Sequence, residues 1–135
     1  TLGLQLITLA SRLRPGENAQ NKVIDDAVRR AHTLIALRCH LPLDLEGLAK
    51  ELGVGYSHLR HSFQARTGIS LRDHYLNVRL QKSKDLLISS GKSVKEIADL
   101  LGFESASHFS KQFKDHLGDA PQHWREKQIK DTGVV

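Results

Sequence analysis

Apolar residues recur along this chain at helical rather than alternating spacing. Leu2, Leu6, Leu9 and Leu13 form one stripe at i, i+4, i+7 and i+11, and "RPGEN", with Pro15 and Gly16, predicts a break after it. A second stripe, Val23, Ala27, Ala31, Leu34 and Ile35, predicts a helix from about Asn21 to Cys39, closed by "HLP". Between Ser70 and Ser90, the positions Leu76, Leu80, Ser83 and Leu87 predict one helix of roughly 30 Å at 1.5 Å per residue. No convincing run alternates apolar and polar positions between turn signals, so the pattern predicts an all-α fold.

An internal repeat organises the rest. "DLEGLAKELGVGYSHLRHSFQARTG", residues 44–68, aligns with "SVKEIADLLGFESASHFSKQFKDHLG", residues 93–118, with one extra residue just after the central glycine. Ala49 then meets Ala98, Leu52 meets Leu101, Gly53 meets Gly102, Phe63 meets Phe113 and Gly68 meets Gly118. In the second copy Ser93 and Glu96 have capping-box spacing, Val94, Ile97, Ala98 and Leu101 share one face, and Gly102 can end the helix. Ser105 can cap the next helix, whose Phe109 and Phe113 point back at the first. Two short helices, a tight glycine turn and a small residue at the crossing make a helix-turn-helix. The first copy has Asp44 as a cap but Gly47 in place of the glutamate and Gly55 in place of Ser105, so it is expected to be the looser by about 1 kcal/mol.

The expected architecture is therefore two helix-turn-helix subdomains, at 44–68 and 93–118, joined by a long connecting helix at 70–90. Pro121 begins a last helix bearing Trp124, for about seven helices plus a short N-terminal one. Residues 1–20 read as an N-terminal helix and linker, 21–130 as one domain and 131–135 as a flexible tail. The chain opens without methionine and contains none, so residues 1–20 are expected to be the remnant of an upstream domain.

Once the apolar positions are assigned inward, each copy keeps a polar face on its second helix. In the second copy it is Ser107, Ser110, Lys111 and Lys114; in the first it is Ser57, Arg60, His61 and Gln64. Any amphipathic helix has a solvated polar side. Here two matching faces without acidic residues occur in a chain of net charge +5, which points to an anionic partner. Arginine can pair bidentately with guanine and glutamine with adenine in the major groove, while serine, histidine and lysine discriminate less. Tyr56 and Ser105, at the helix starts, are candidates for capping or phosphate contact. Successive major-groove faces lie about 34 Å apart, close to the length of the connecting helix, so two unlike heads on one chain predict an asymmetric double-stranded DNA site. Residues 43–92 hold eight Lys and Arg against five acids and residues 93–135 six against seven, so the first head is expected to supply more of the salt-dependent affinity. From a different class, a helical module whose polar faces bind acidic protein partners stays open.

Other chemistry is thin. His58 and His61 stand at i, i+3 and Cys39 adjoins His40, but there is no HExxH, no CxxC and no glycine-rich phosphate loop; no cofactor, metal or catalytic residue is expected. A lone cysteine excludes an internal disulfide, and no apolar run reaches the roughly 20 residues of a membrane span, which together favour the cytoplasm.

The stretch from Ser93 to Arg125 resembles the C-terminal DNA-binding domain of AraC/XylS transcription regulators. The resemblance rests on Ile97-Ala98, Gly102-Phe103, Phe109 to Phe113-Lys114, Gly118 and Pro121-Gln-His-Trp124-Arg125, and extends over about 22–128, with Arg79-Leu80 and Leu86-Leu87 matching the connecting helix. His74, Ser83, Leu71 and Trp124 depart from the residues usual there. The resemblance implies two helix-turn-helix subdomains on a long helix, base contacts from Ser57, Arg60, His61, Ser107, Ser110 and Lys111, and a nucleoid-associated regulator that often activates by contacting RNA polymerase. It also implies an upstream effector-sensing or dimerisation domain; a minority architecture is the DNA-binding unit alone.

Overall fold

The computed structural model describes residues 15–133, in which seven helices and no strands occur: α1 Pro15–Leu37, α2 Leu45–Glu51, α3 Tyr56–Thr67, α4 Leu71–Ser89, α5 Val94–Leu100, α6 Ala106–Leu117 and α7 Pro121–Asp131. The apolar stripe at 2–13 lies outside these residues. Residues 15–20, expected to be a linker before a helix starting near Asn21, are helical and belong to α1; the expected break after the 2–13 stripe lies with it outside the described residues. The buried stripe of α1 keeps the expected Ala27, Ala31 and Ile35, with Leu34 partly buried against the core, and differs at its first position. Ile24, Ala27, Val28, Ala31 and Ile35 face the core, and Val23, assigned inward from its spacing, is 55 % exposed.

Two cores form, and α4 is a wall of both. The first gathers α1, Leu45, Leu48, Ala49 and Leu52, then Leu59 and Phe63 of α3 and Leu71 at the start of α4. The second gathers Leu80 and Leu87 of α4 with Ile97, Ala98, Leu101, Phe103, Phe109 and Phe113. Ala49 and Ala98, both buried, occupy equivalent places in the short first helices of the two motifs. Ser83 faces the second core with no exposure, and its hydroxyl is satisfied by donating to the Leu80 carbonyl at 2.6 Å.

The repeat runs further than residue identity indicated. Beyond Gly68 and Gly118, Leu71 and Pro121 are both buried, and His74 and Trp124 each set a ring against the phenylalanine of the preceding helix. Phe63 to His74 is 5.6 Å between ring centroids and Phe113 to Trp124 is 5.7 Å. His74 also stacks on His32 at 4.1 Å, and its Nε2 donates to the His32 carbonyl at 3.3 Å. Burial, the largest influence, lowers the His74 pKa and outweighs that carbonyl bond; the neighbouring His32 lowers it further.

Candidate nucleic-acid interface

Each candidate reading helix is set by a cap at one end and a left-handed glycine at the other. For α6, the Ser105 hydroxyl accepts from the His108 amide at 3.0 Å and Gly118 closes the helix at φ +91°. For α3, Gly55 at the N-cap offers no side-chain bond and Gly68 closes the helix at φ +82°. Tyr56 does not cap: it stands inside the first turn of α3, past the cap position. Its ring instead lies 5.7 Å from the Arg60 guanidinium carbon.

The helices in front of them differ in a way the sequence hid. Ser93 and Glu96 make the full reciprocal capping box at the start of α5. At the start of α2, Asp44 accepts from the Gly47 amide at 2.9 Å, and a Cβ on Gly47 would lie only 2.2 Å from Asp44 Oδ2. Any side chain at position 47 therefore requires the Asp44 carboxylate to shift from this position.

The polar faces stand where the spacing placed them. Ser57, Arg60, His61 and Gln64 are exposed on α3, opposite buried Leu59, Ser62 and Phe63. Ser107, Lys111 and Lys114 are exposed on α6, while Ser110 is half-buried at the flank, opposite Phe109 and Phe113. No ion pair engages Arg60, Lys111 or Lys114 among the described residues, so these cations are available to an external anion. Helix α3 contains no acid, whereas α6 carries Asp115 beside Lys114.

A groove of about 250 Å³ runs along α3, lined by Tyr56, Arg60, His61, Gln64, Ser70 and Arg72, with Leu45 and Leu71 alongside. Arg72 was not among the expected contacts. It follows the motif in sequence, and only the packing of α4's first turn beside α3 brings it to Arg60. Its counterpart in the repeat is the uncharged Gln122, preceded by Asp119, which pairs with Lys127 at 3.0 Å and His123 at 3.3 Å. Ion pairs across the edge of the first half leave its charge excess unchanged: Arg66 is paired with Asp25 at 2.5 Å, and Glu51 with Arg38 at 2.8 Å.

His58 is exposed and Cys39 is buried, and among the described residues no three His, Cys, Asp or Glu side chains converge to hold a metal ion. No described helix is long and apolar enough to cross a membrane.

Comparison with known proteins agrees with this arrangement. A family model described as a helix-turn-helix domain matches residues 48–127. The HTH-type transcriptional activator RhaR of Pectobacterium carotovorum is 29 % identical over 126 residues, which are 92 % of this chain and 44 % of RhaR. The chain spans roughly a quarter to less than half of the curated relatives it matches. Among solved structures, an AraC-type DNA-binding-domain protein from Chromobacterium violaceum superposes with a TM-score of 0.71 at 27 % identity, covering 76 % of this chain and 92 % of that one. The DNA-binding domain of AdpA, solved with a target DNA, shares the fold at a TM-score of 0.74 and 22 % identity, covering 80 % and 97 % of the two chains.

Proposed function

The chain belongs to the AraC-type helix-turn-helix family of DNA-binding transcriptional regulators, and from that premise we propose that its two heads read adjacent major grooves of one asymmetric duplex site. The carrying observation is a pair of polar faces, on α3 and α6, whose cations have no acidic partner among the described residues. They sit on equivalent scaffolds sharing α4, whose 19 residues span about 28 Å at 1.5 Å per residue. That length is commensurate with the roughly 34 Å between successive major-groove faces.

In this reading Arg60 and Gln64 supply the discriminating contacts of the first head, with Ser57 and His61 beside them. Ser107, Ser110 and Lys111 serve the second head, and Lys114 lies nearer a phosphate. Arg72, sharing a groove with Arg60, adds a backbone contact, and Tyr56 and Ser105 border the phosphates at the two helix starts. Activation through RNA polymerase is part of the proposal and is supported by the resemblance and by the activator RhaR among the relatives.

Footprinting against the flanking genomic DNA tests this. Protection should cover two adjacent major grooves on one side of the duplex; a module that binds only acidic proteins leaves no footprint. Salt titrations refine it. Arg60→Ala should flatten the slope of log affinity against log salt by about 1, and more than Lys111→Ala does. A larger flattening for Lys111→Ala would reverse the assignment of the first head as the more electrostatic.

A further inference from the structure

The two cores share α4 but have no buried residue in common, so something besides that helix must fix how far and at what angle α6 stands from α3. One side chain lies at the junction. Arg79, in the middle of α4, is 7 % exposed. Its Nε donates to the Cys39 carbonyl and its Nη2 to the Leu41 carbonyl at 3.0 Å, both in the loop that leads into the first helix-turn-helix. The same guanidinium carbon is 4.2 Å from the ring centroid of Tyr75 and 5.2 Å from that of Phe103, which follows the turn of the second motif. Tyr75 Oη donates to the Leu41 carbonyl as well.

The turn of the second motif is seated on that loop. A Cβ on Gly102 would lie 2.2 Å from the His40 carbonyl oxygen and 3.0 Å from Arg79 Nη2. The planar guanidinium therefore joins the entry of one motif to the turn of the other, with carbonyl bonds in its plane and aromatic rings packed around it. A lysine could not reproduce this, because a compact ammonium neither stacks in a plane nor presents a fixed fork of donors.

We propose that Arg79 is a positioning residue that sets the phase between the two reading helices, and with it the half-site spacing the chain accepts. The proposal rests on the two-groove reading above. Moving one half-site by a single base pair shifts it by about 3.4 Å along the duplex and roughly 35° around it. Heads locked at one phase cannot follow both changes.

The test selects a high-affinity duplex from a random pool with the wild-type chain, then lengthens or shortens the segment between its half-sites by one and two base pairs. Wild type should lose about tenfold in affinity at one base pair in either direction, the size of a lost base contact. Arg79→Lys, shown to be folded by circular dichroism, should lose about threefold or less across the same change while binding an isolated half-site as wild type does. An unchanged spacer profile in Arg79→Lys, or an equal loss on every duplex including the half-site, overturns the proposal. Should Arg79→Lys fail to fold, Phe103→Leu keeps the carbonyl bonds and most of the apolar volume while removing one ring. A flattened profile there supports the proposal and a wild-type profile sinks it. Failure of the wild-type chain to select any duplex would overturn the two-groove reading itself, a result distinct from either.

Discussion

The two helix-turn-helix units have one backbone plan and different fastenings. The second is closed by a full capping box, by Ser105 and by Trp124 against Phe113. The first has a lone aspartate cap, no side-chain cap on its reading helix, and a histidine against Phe63. Their turns differ most. Gly53 and Gly102 have nearly the same φ, +73° and +80°, yet a Cβ on Gly53 would meet nothing within 4 Å while one on Gly102 would strike the His40 backbone. One glycine answers a local conformational demand, and the other also answers a tertiary one. A pattern of residue types cannot separate these two needs.

The largest effect should come from breaking that difference. Gly102→Ala adds a backbone collision to the left-handed strain and should cost about 3 kcal/mol or more, whereas Gly53→Ala should cost roughly 1–2 kcal/mol from the left-handed conformation alone. Urea unfolding of the two variants measures the gap, and equal losses would mean that the junction yields easily.

A smaller effect tests the cap. Gly47→Glu restores the capping-box pattern to the first unit, and sequence alone expects it to stabilise. The new Cβ would displace the Asp44 carboxylate, so a net loss of about 1 kcal/mol, the usual worth of an N-cap, is expected instead. A rise in the thermal midpoint would show that Asp44 re-caps from another rotamer.

The remaining contrast is one of titration. The folded-state pKa of His74 lies below its unfolded value of about 6.5, so the unfolded chain takes up a proton that the folded chain resists. Stability should therefore be full above that value and fall as pH drops through it, levelling off only below the folded pKa. Denaturant midpoints between pH 8 and pH 5 should show this decline, and His74→Phe should reduce it. A pH dependence unchanged in His74→Phe would place the proton uptake elsewhere.

Much of the molecule could be read from its sequence because it repeats. The spacing of Ile97, Ala98 and Leu101 and of Phe109 and Phe113 placed the second core, and its likeness to residues 44–68 placed the first. The outward faces followed by subtraction, since a helix with its apolar side assigned has little freedom left. Ser110 moved to the flank because it lies near the boundary between the two sides of α6.

What escaped was tertiary. Val23 and Ile24 are equally apolar neighbours, and only the docking of α1 decides that Ile24 goes inward. The equivalence of His74 with Trp124 is hidden because the residues differ in type although their rings do the same work. Arg72 and Arg79 read alike as cations of one helix, yet one lines the groove beside α3 and the other is sealed at the junction.

Helix α4 finishes the first core with its opening turn and begins the second two turns later. No cut through the chain therefore yields two complete halves: removing residues before α5 takes a wall from the second core, and ending before α4 takes one from the first. The motif is duplicated but the domain is not. Its two heads are inherited, exchanged or lost together, and a change in the length of α4 would alter both cores before it altered any contact with DNA.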